Sequence, residues 1–258
     1  MRMKIRYVVA TCQAFSPILF NPMTGPTLKG LRTGIHPQNP KDREPSDIAK
    51  DRLPLWTDPS DGIEYIGAPT SYLFAALNGA GREVKQGKSK LATAKSSKVP
   101  SVIWIDDQFL KFGPSSDVAW IVDERRGVIP KDQIAVCLVR PMIHNWGFTT
   151  HLRFDEVFVS TETVLKLVEY AGRFMGLGDY RPDKKGPYGQ FIVTKFVVDD
   201  VEFDLDKWNS EPEPEIEELA EAIGEPVEGD VGEELVGAGV EGVGNGARSG
   251  RRSTRRTK

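Results

Sequence analysis

"MGLGDYRPDKKGPYGQF", residues 175–191, packs four glycines, two prolines, three cations and two tyrosines into seventeen residues. What flanks it decides the fold. Upstream, Val164, Val168, Ala171 and Met175 keep a 4-3-4 spacing, and Leu165 and Leu167 widen the stripe, which predicts an amphipathic helix from Glu162 to Met175. Glu162 suits the positive end of that helix and Arg173 the negative end. Downstream, "QFIVTKFVVDDVEF" reads as a terminal strand. A Walker A loop needs G-x-x-x-x-G-K-[ST], and a dinucleotide fingerprint needs G-x-G-x-x-G between a strand and the following helix. Here the order is helix, loop, strand, and neither pattern is present. Gly176 and Gly178 are suited to ending the helix at positive φ, and Arg181-Pro182 imposes an extended step. Turn chemistry leaves Lys184 and Lys185, beside Tyr188, unexplained. Free backbone amides, two ammonium groups and an aromatic face suit a phosphodiester chain with stackable bases.

Outward from the loop, "KIRYVVATCQAFSPILF" (4–20) reads as a strand bent at Pro17. Residues 21–62 hold seven prolines and are expected to form a long exposed inserted loop. Residues 67–81, "GAPTSYLFAALNGAG", read as a helix with Pro69 in its first turn and Leu73, Ala76, Leu77 and Ala80 on its apolar face. Short strands are expected at 99–105, 134–143 and 150–160. The order β-α-β-β-α-β, with both helices on one face of an antiparallel sheet, defines an α+β, ferredoxin-like (RRM-like) domain over residues 1–210.

Residues 211–258 carry 12 acidic and 6 basic side chains and no aromatic, ending "RSGRRSTRRTK". Such a segment cannot bury enough apolar surface to offset ordering, so a disordered acidic tail with a basic end is expected. The chain's net charge of −3 therefore divides into about −6 on the tail and +3 on the body. A mildly basic body is compatible with a phosphate-bearing partner. Cys12 and Cys137 lie in apolar β-like runs and read as buried, reduced thiols. The N-terminal apolar stretch is too short and too β-branched for a signal peptide or membrane span, so a cytoplasmic protein without a membrane partner is expected.

Residues 82–98 hold six cations against Glu83, and Lys85, Lys88 and Lys90 would form an electrostatic arm beside the sheet. "RPMIHNWGF" offers Arg140, His144, Trp146 and Phe148. No C-x-x-C or H-E-x-x-H occurs, and His36, His144 and His151 are scattered, so neither a metal nor a cofactor is expected and no catalytic residue is assigned. Asp155-Glu156 and Asp199-Asp200 are adjacent carboxylates that point to opposite faces of a strand and read as solvated strand ends.

Four stretches together, "FSPILFNP", "PTSYLFAALNGAG", "RPMIHNWGFTTHLRFDE" and above all "GLGDYRPDKKGPYGQF", resemble a family of phage and prophage proteins. In that family a helix ends with G-[IL]-G-D-[FY]-R-P, continues with K-G-P-[FY]-G and enters the last strand. The family is in turn similar to the RAMP superfamily, which includes the repeating backbone subunits of CRISPR effector complexes. The resemblance implies an RRM-like fold whose subunits line up along single-stranded nucleic acid. It implies that Gly176, Gly178, Gly186 and Gly189 shape the loop while Arg181, Lys184 and Lys185 meet phosphates. It also implies that the proline-rich insertion and the 82–98 arm are finger-like insertions. The expected function is non-catalytic binding of single-stranded DNA or RNA by a homo-oligomer, in the host cytoplasm if phage-encoded. The expected contacts are Arg181, Lys184, Lys185, Tyr188, Lys85, Lys88, Lys90, Arg140, Trp146 and Arg153. Two other classes remain open: a metal-independent endoribonuclease using His36 or His144, and an adaptor whose tail recruits protein partners.

Overall fold

The computed structural model describes residues 3–34, 43–129, 134–199 and 201–202. The described chain runs β1 (Ile5–Ala14), β2 (Ile18–Leu19), α1 (Gly25–Thr33), α2 (Pro45–Lys50), β3 (Leu55–Thr57), β4 (Glu64–Pro69) and α3 (Thr70–Ala80). It continues with β5 (Lys85–Gln86), β6 (Ser89–Lys90), α4 (Val99–Val102), β7 (Ile103–Ile105), β8 (Phe109–Pro114), β9 (Ile121–Ile129), β10 (Ile134–Ile143) and β11 (Gly147–Asp155). Then come α5 (Thr161–Tyr170), a π turn at Ala171–Met175, a 3₁₀ turn at Pro182–Lys184, β12 (Phe191–Val198) and β13 (Val201–Glu202).

This is a mixed α/β fold with antiparallel sheets. The main sheet has the order β13-β12-β1-β11-β7. Central β1 pairs antiparallel with β11 (Val8 opposite Leu152) and with β12 (Val8 opposite Val198), and β11 pairs antiparallel with β7. A second sheet, β2-β10-β9, contains the long ribbon in which Cys137 faces Arg126 and Arg140 faces Asp123. A third, β3-β4-β8, leads into α3.

Alternation along β1 sends Val8, Ala10 and Cys12 inward, and Leu152, Phe154 and Phe196 join them from the neighbouring strands. Against them pack Leu73, Ala76, Leu77 and Ala80 of α3 and Val164, Leu165, Leu167 and Val168 of α5. Ser160 caps α5, its hydroxyl accepting from the Thr163 amide at 3.3 Å. α3 and the π turn approach so closely that a Cβ on Gly79 would lie 2.6 Å from Met175 Sδ.

Several expectations are corrected. The stretch 21–62 is not a bare loop: Pro26 is the second residue of α1 and Pro45 the first of α2, both in the first turn, where a missing N–H costs nothing. Part of that stretch, including His36, lies outside the described residues, as does the 211–258 tail. Pro69 precedes α3 rather than entering it, because Glu64–Pro69 form β4. Cys12 is buried, which pushes its thiol pKa up, but Cys137 is exposed on the ribbon. Asp155 is not a solvated strand end: it is 2% exposed and accepts from the Lys4 and Val157 amides. Glu156 pairs with Lys4 (2.6 Å) and Arg6 (3.2 Å), and Asp199 accepts from the Tyr7 amide at 2.8 Å.

Candidate functional site

The glycine loop is held as a closed, double-rung structure. Leu177, fully buried, anchors it to the core; its amide donates to Gly189 O at 2.8 Å, and the Gly189 amide donates to Pro17 O at 2.7 Å. The Asp179 amide donates to Leu19 O at 2.7 Å, so both ends of the loop are sewn to the β1–β2 bend. Gly189 has φ +74°, and a Cβ there would lie 1.8 Å from Leu177 O. Farther out, a Cβ on Gly186 would lie 1.8 Å from Tyr180 O, so only glycine lets the two arms of the loop touch. Gly176 follows the π turn, and Gly178 lines a cavity of about 350 Å³ with Tyr72, Asp179 and Arg181.

At the tip, Lys184 and Lys185 are exposed, and Lys185 sits in the left-handed region at φ 61°. Lys184 has the Asp183 carboxylate at 3.4 Å. Arg181 is turned back on the loop, its Nη1 donating to Gly178 O at 2.9 Å and its Nη2 lying 3.3 Å from Asp183. The Tyr180 and Tyr188 rings stand 6.1 Å apart, with Tyr180 43% exposed.

A chain of charged groups ties this loop to the ribbon. Asp179 accepts from Arg140 Nη1 at 2.9 Å, and Arg140 Nη2 and Nε donate to Asp123 Oδ2 at 2.7 and 3.1 Å. Asp123 Oδ1 in turn accepts from Arg125, whose Nη2 donates to the Tyr188 hydroxyl. The Arg125 guanidinium lies over the Tyr188 ring, 5.1 Å from its centroid. The hydrogen bond to Tyr188, followed by that to Asp123, raises the Arg125 pKa. Arg125 thus stacks on Tyr188, which neighbours Tyr180, in the loop whose tip carries the exposed Lys184 and Lys185.

The residues expected as contacts fall in several places. Arg181, Lys184, Lys185 and Tyr188 share the loop. Arg140 is corrected: at 4% exposure, and fully engaged by two carboxylates, it is a structural clamp with no face for a ligand. Trp146 is corrected likewise: at 2% exposure it packs against Phe112, Phe148 and Phe191, and its Nε1 donates to Ser16 O at 2.9 Å. Lys85, Lys88 and Lys90 are exposed, but on a folded hairpin rather than a loose arm. Gln86 Oε1 of that hairpin accepts from Thr163 Oγ1 at 2.6 Å, at the start of α5. The glycine loop follows the other end of α5, about 15 Å along a ten-residue helix, so the two basic groups are not brought together. Arg153 lies on the outer face of the main sheet, between Tyr7 (59% exposed) and Trp104 in the strand register, and pairs with Asp106 at 2.6 Å. His144 is exposed on the turn after β10.

Two residues of this cluster carry no distinct signal in the sequence, Arg125 and Tyr180. The only trace of the first is the Arg125-Arg126 pair in a charged stretch with no apolar alternation. Among the described residues no cluster of three or more His, Cys, Asp or Glu is arranged to hold a metal ion, and no helix is long and apolar enough to cross a membrane.

No protein-family model matches the chain, and no curated protein matches it. Among solved structures it is similar to a chain of the cryo-EM structure of the Type III-B Cmr-beta bound to cognate target RNA. The TM-score is 0.41 and the identity 13%, over 76% of this chain and 61% of that one. The likeness is distant and spans less than two thirds of the neighbour's length, and nothing about the chemistry of this chain follows from it.

Proposed function

We propose that the protein binds single-stranded nucleic acid, without cleaving it, on the surface made by the glycine loop and the β9–β10 ribbon. One observation carries the reading: exposed Lys184 and Lys185 sit on a loop fixed at both ends, beside two tyrosine rings and the Arg125 guanidinium. Lysines on a rigid loop meet phosphates without a large ordering cost, and aromatic faces stack on any unpaired base. A ferredoxin-like reading of the fold is supported by the main-sheet order. The four strands β1, β7, β11 and β12 are separated by α3, by the β8–β10 connection and by α5, and lie side by side as fourth, first, third, second.

Fluorescence anisotropy with labelled single-stranded RNA, single-stranded DNA and duplex DNA at two salt concentrations tests the proposal. Binding of single strands that weakens with salt, with the oligonucleotide recovered intact, is expected. Preference for duplex, or no binding, contradicts it. We propose further that residues 211–258, outside the described residues, serve protein partners, so their deletion leaves nucleic-acid binding in place.

A further inference from the structure

A second cavity adjoins the one beneath the glycine loop. The loop-side cavity, about 350 Å³, and its neighbour, about 380 Å³, share the exposed residue Asn21. The first is walled by Tyr72, Gly178, Asp179 and Arg181, and the second by Thr24, Thr27, Arg43, Asp51 and Arg52. Together they trace a groove from the loop to the short helices α1 and α2.

The charges along this groove are unequal. Of the three arginines that line the two cavities, Arg43 and Arg181 each have a carboxylate within salt-bridge distance. Arg52 has none among the described residues. Its Nη1 donates to Val139 O at 2.5 Å, and the charges that act on it are Arg140, a like charge, and, more weakly, Asp179, which is itself bonded to Arg140. Half-burial, then the Arg140 charge, lower its pKa, but a guanidinium stays protonated under any physiological condition. A partly desolvated cation beside another cation is a cost that an anion would relieve. The two carboxylates in the groove are already engaged, Asp179 by Arg140 at 2.9 Å and Asp51 by Arg43 at 2.7 Å, so neither stands ready as that anion.

We propose that this groove takes the sugar–phosphate backbone of the strand bound at the glycine loop, with Arg52 as a phosphate ligand at its far end. The inference rests on the function proposed above and extends its site. A planar guanidinium offers paired N–H donors that match two phosphate oxygens. The groove begins at the loop that carries Lys184 and Lys185, which favours a continuous phosphodiester chain over an isolated anion.

The test uses anisotropy titrations of the full chain across a salt series, with single-stranded oligonucleotides of increasing length, and calorimetry with inorganic phosphate alone. Arg52→Ala should weaken long oligonucleotides about 10-fold and reduce the salt slope by about one, leaving the shortest oligonucleotides unaffected. Arg52→Lys should keep the slope. Because Arg52→Ala also gives up the bond to Val139, Asn21→Glu supplies a surface variant with Arg52 intact. Its added charge at the waist of the groove should likewise weaken only the longer strands. Long-strand binding by both variants equal to wild type, at an unchanged slope, overturns the groove and leaves the loop reading standing. Salt-sensitive binding absent from wild type overturns the loop reading itself. Saturable phosphate binding that needs Arg52, without any effect of Arg52→Ala on oligonucleotides, also overturns the groove, since it marks an anion site and not a strand path.

Discussion

Arg140 Nη1 lies 2.9 Å from Asp179 Oδ2, joining the buried base of the β9–β10 ribbon to the glycine loop 39 residues further along the chain. The same guanidinium holds Asp123, so one 4%-exposed cation balances two carboxylates. Arg140→Ala leaves Asp179 without its partner and the buried Asp123 with Arg125 alone, and should destabilise the fold by about 3 kcal/mol in urea titrations. Lys184→Ala, at an exposed position, should stay within about 0.5 kcal/mol of wild type. Equal, small effects from both would contradict the clamp.

Trp146 fills the aromatic cluster with Phe112, Phe148 and Phe191 rather than facing solvent. Trp146→Ala should cost about 3–5 kcal/mol of stability, as for other large buried aromatics. Nucleic-acid affinity per folded molecule should not change. A small stability effect joined to a large affinity loss would return Trp146 to the binding surface.

Gly189 combines positive φ with a Cβ position 1.8 Å from Leu177 O, whereas Gly87, also at positive φ (+57°), has open space around its Cβ position. Gly87→Ala should cost about 1 kcal/mol from backbone strain alone. Gly189→Ala should cost more, because the Leu177–Gly189 rung must open. Amide exchange should then accelerate at Leu177 and Gly189, a readout that the Gly87 variant leaves unmoved.

Asp58 gives a pH dependence. Its carboxylate accepts from Lys111 first, then from the Ser60 hydroxyl and amide, which holds its pKa at about 2. The ammonium of Lys111 also faces the Tyr65 ring, 4.5 Å from its centroid. A depressed folded-state pKa contributes stability that is complete above the unfolded value of about 3.9 and disappears as pH falls through about 2. Thermal melts of wild type should therefore lose stability across that window more steeply than Asp58→Asn. Parallel acid curves would show that the pair contributes nothing.

How much of this was legible depends on the range of each interaction. The helix at 162–175 and the strand after the loop show in local periodicity, although the last turn winds as a π turn where Gly172 packs against Phe191, a contact no local pattern encodes. Pro26 and Pro45 look like loop punctuation, but they start helices because each falls where an N–H is dispensable. β9 carries no strand signal in the sequence because "DERRG" breaks the apolar alternation, and most of its described residues are exposed. The loop's lysines and glycines announce themselves in sequence. The status of Arg140 does not, since the partners that bury it, Asp123 and Asp179, are 17 and 39 residues away. Lys85, Lys88 and Lys90 form a second basic cluster in the sequence, and no local pattern shows that Gln86 docks their hairpin at the start of α5, the end away from the glycine loop.

The most direct measurement is the salt dependence of single-stranded oligonucleotide affinity for wild type and for Lys184→Ala/Lys185→Ala. The account predicts a linear fall of log affinity with log salt, and a slope shallower by about one to two in the double variant with its melting temperature unchanged. An identical slope and affinity in the two proteins would contradict it.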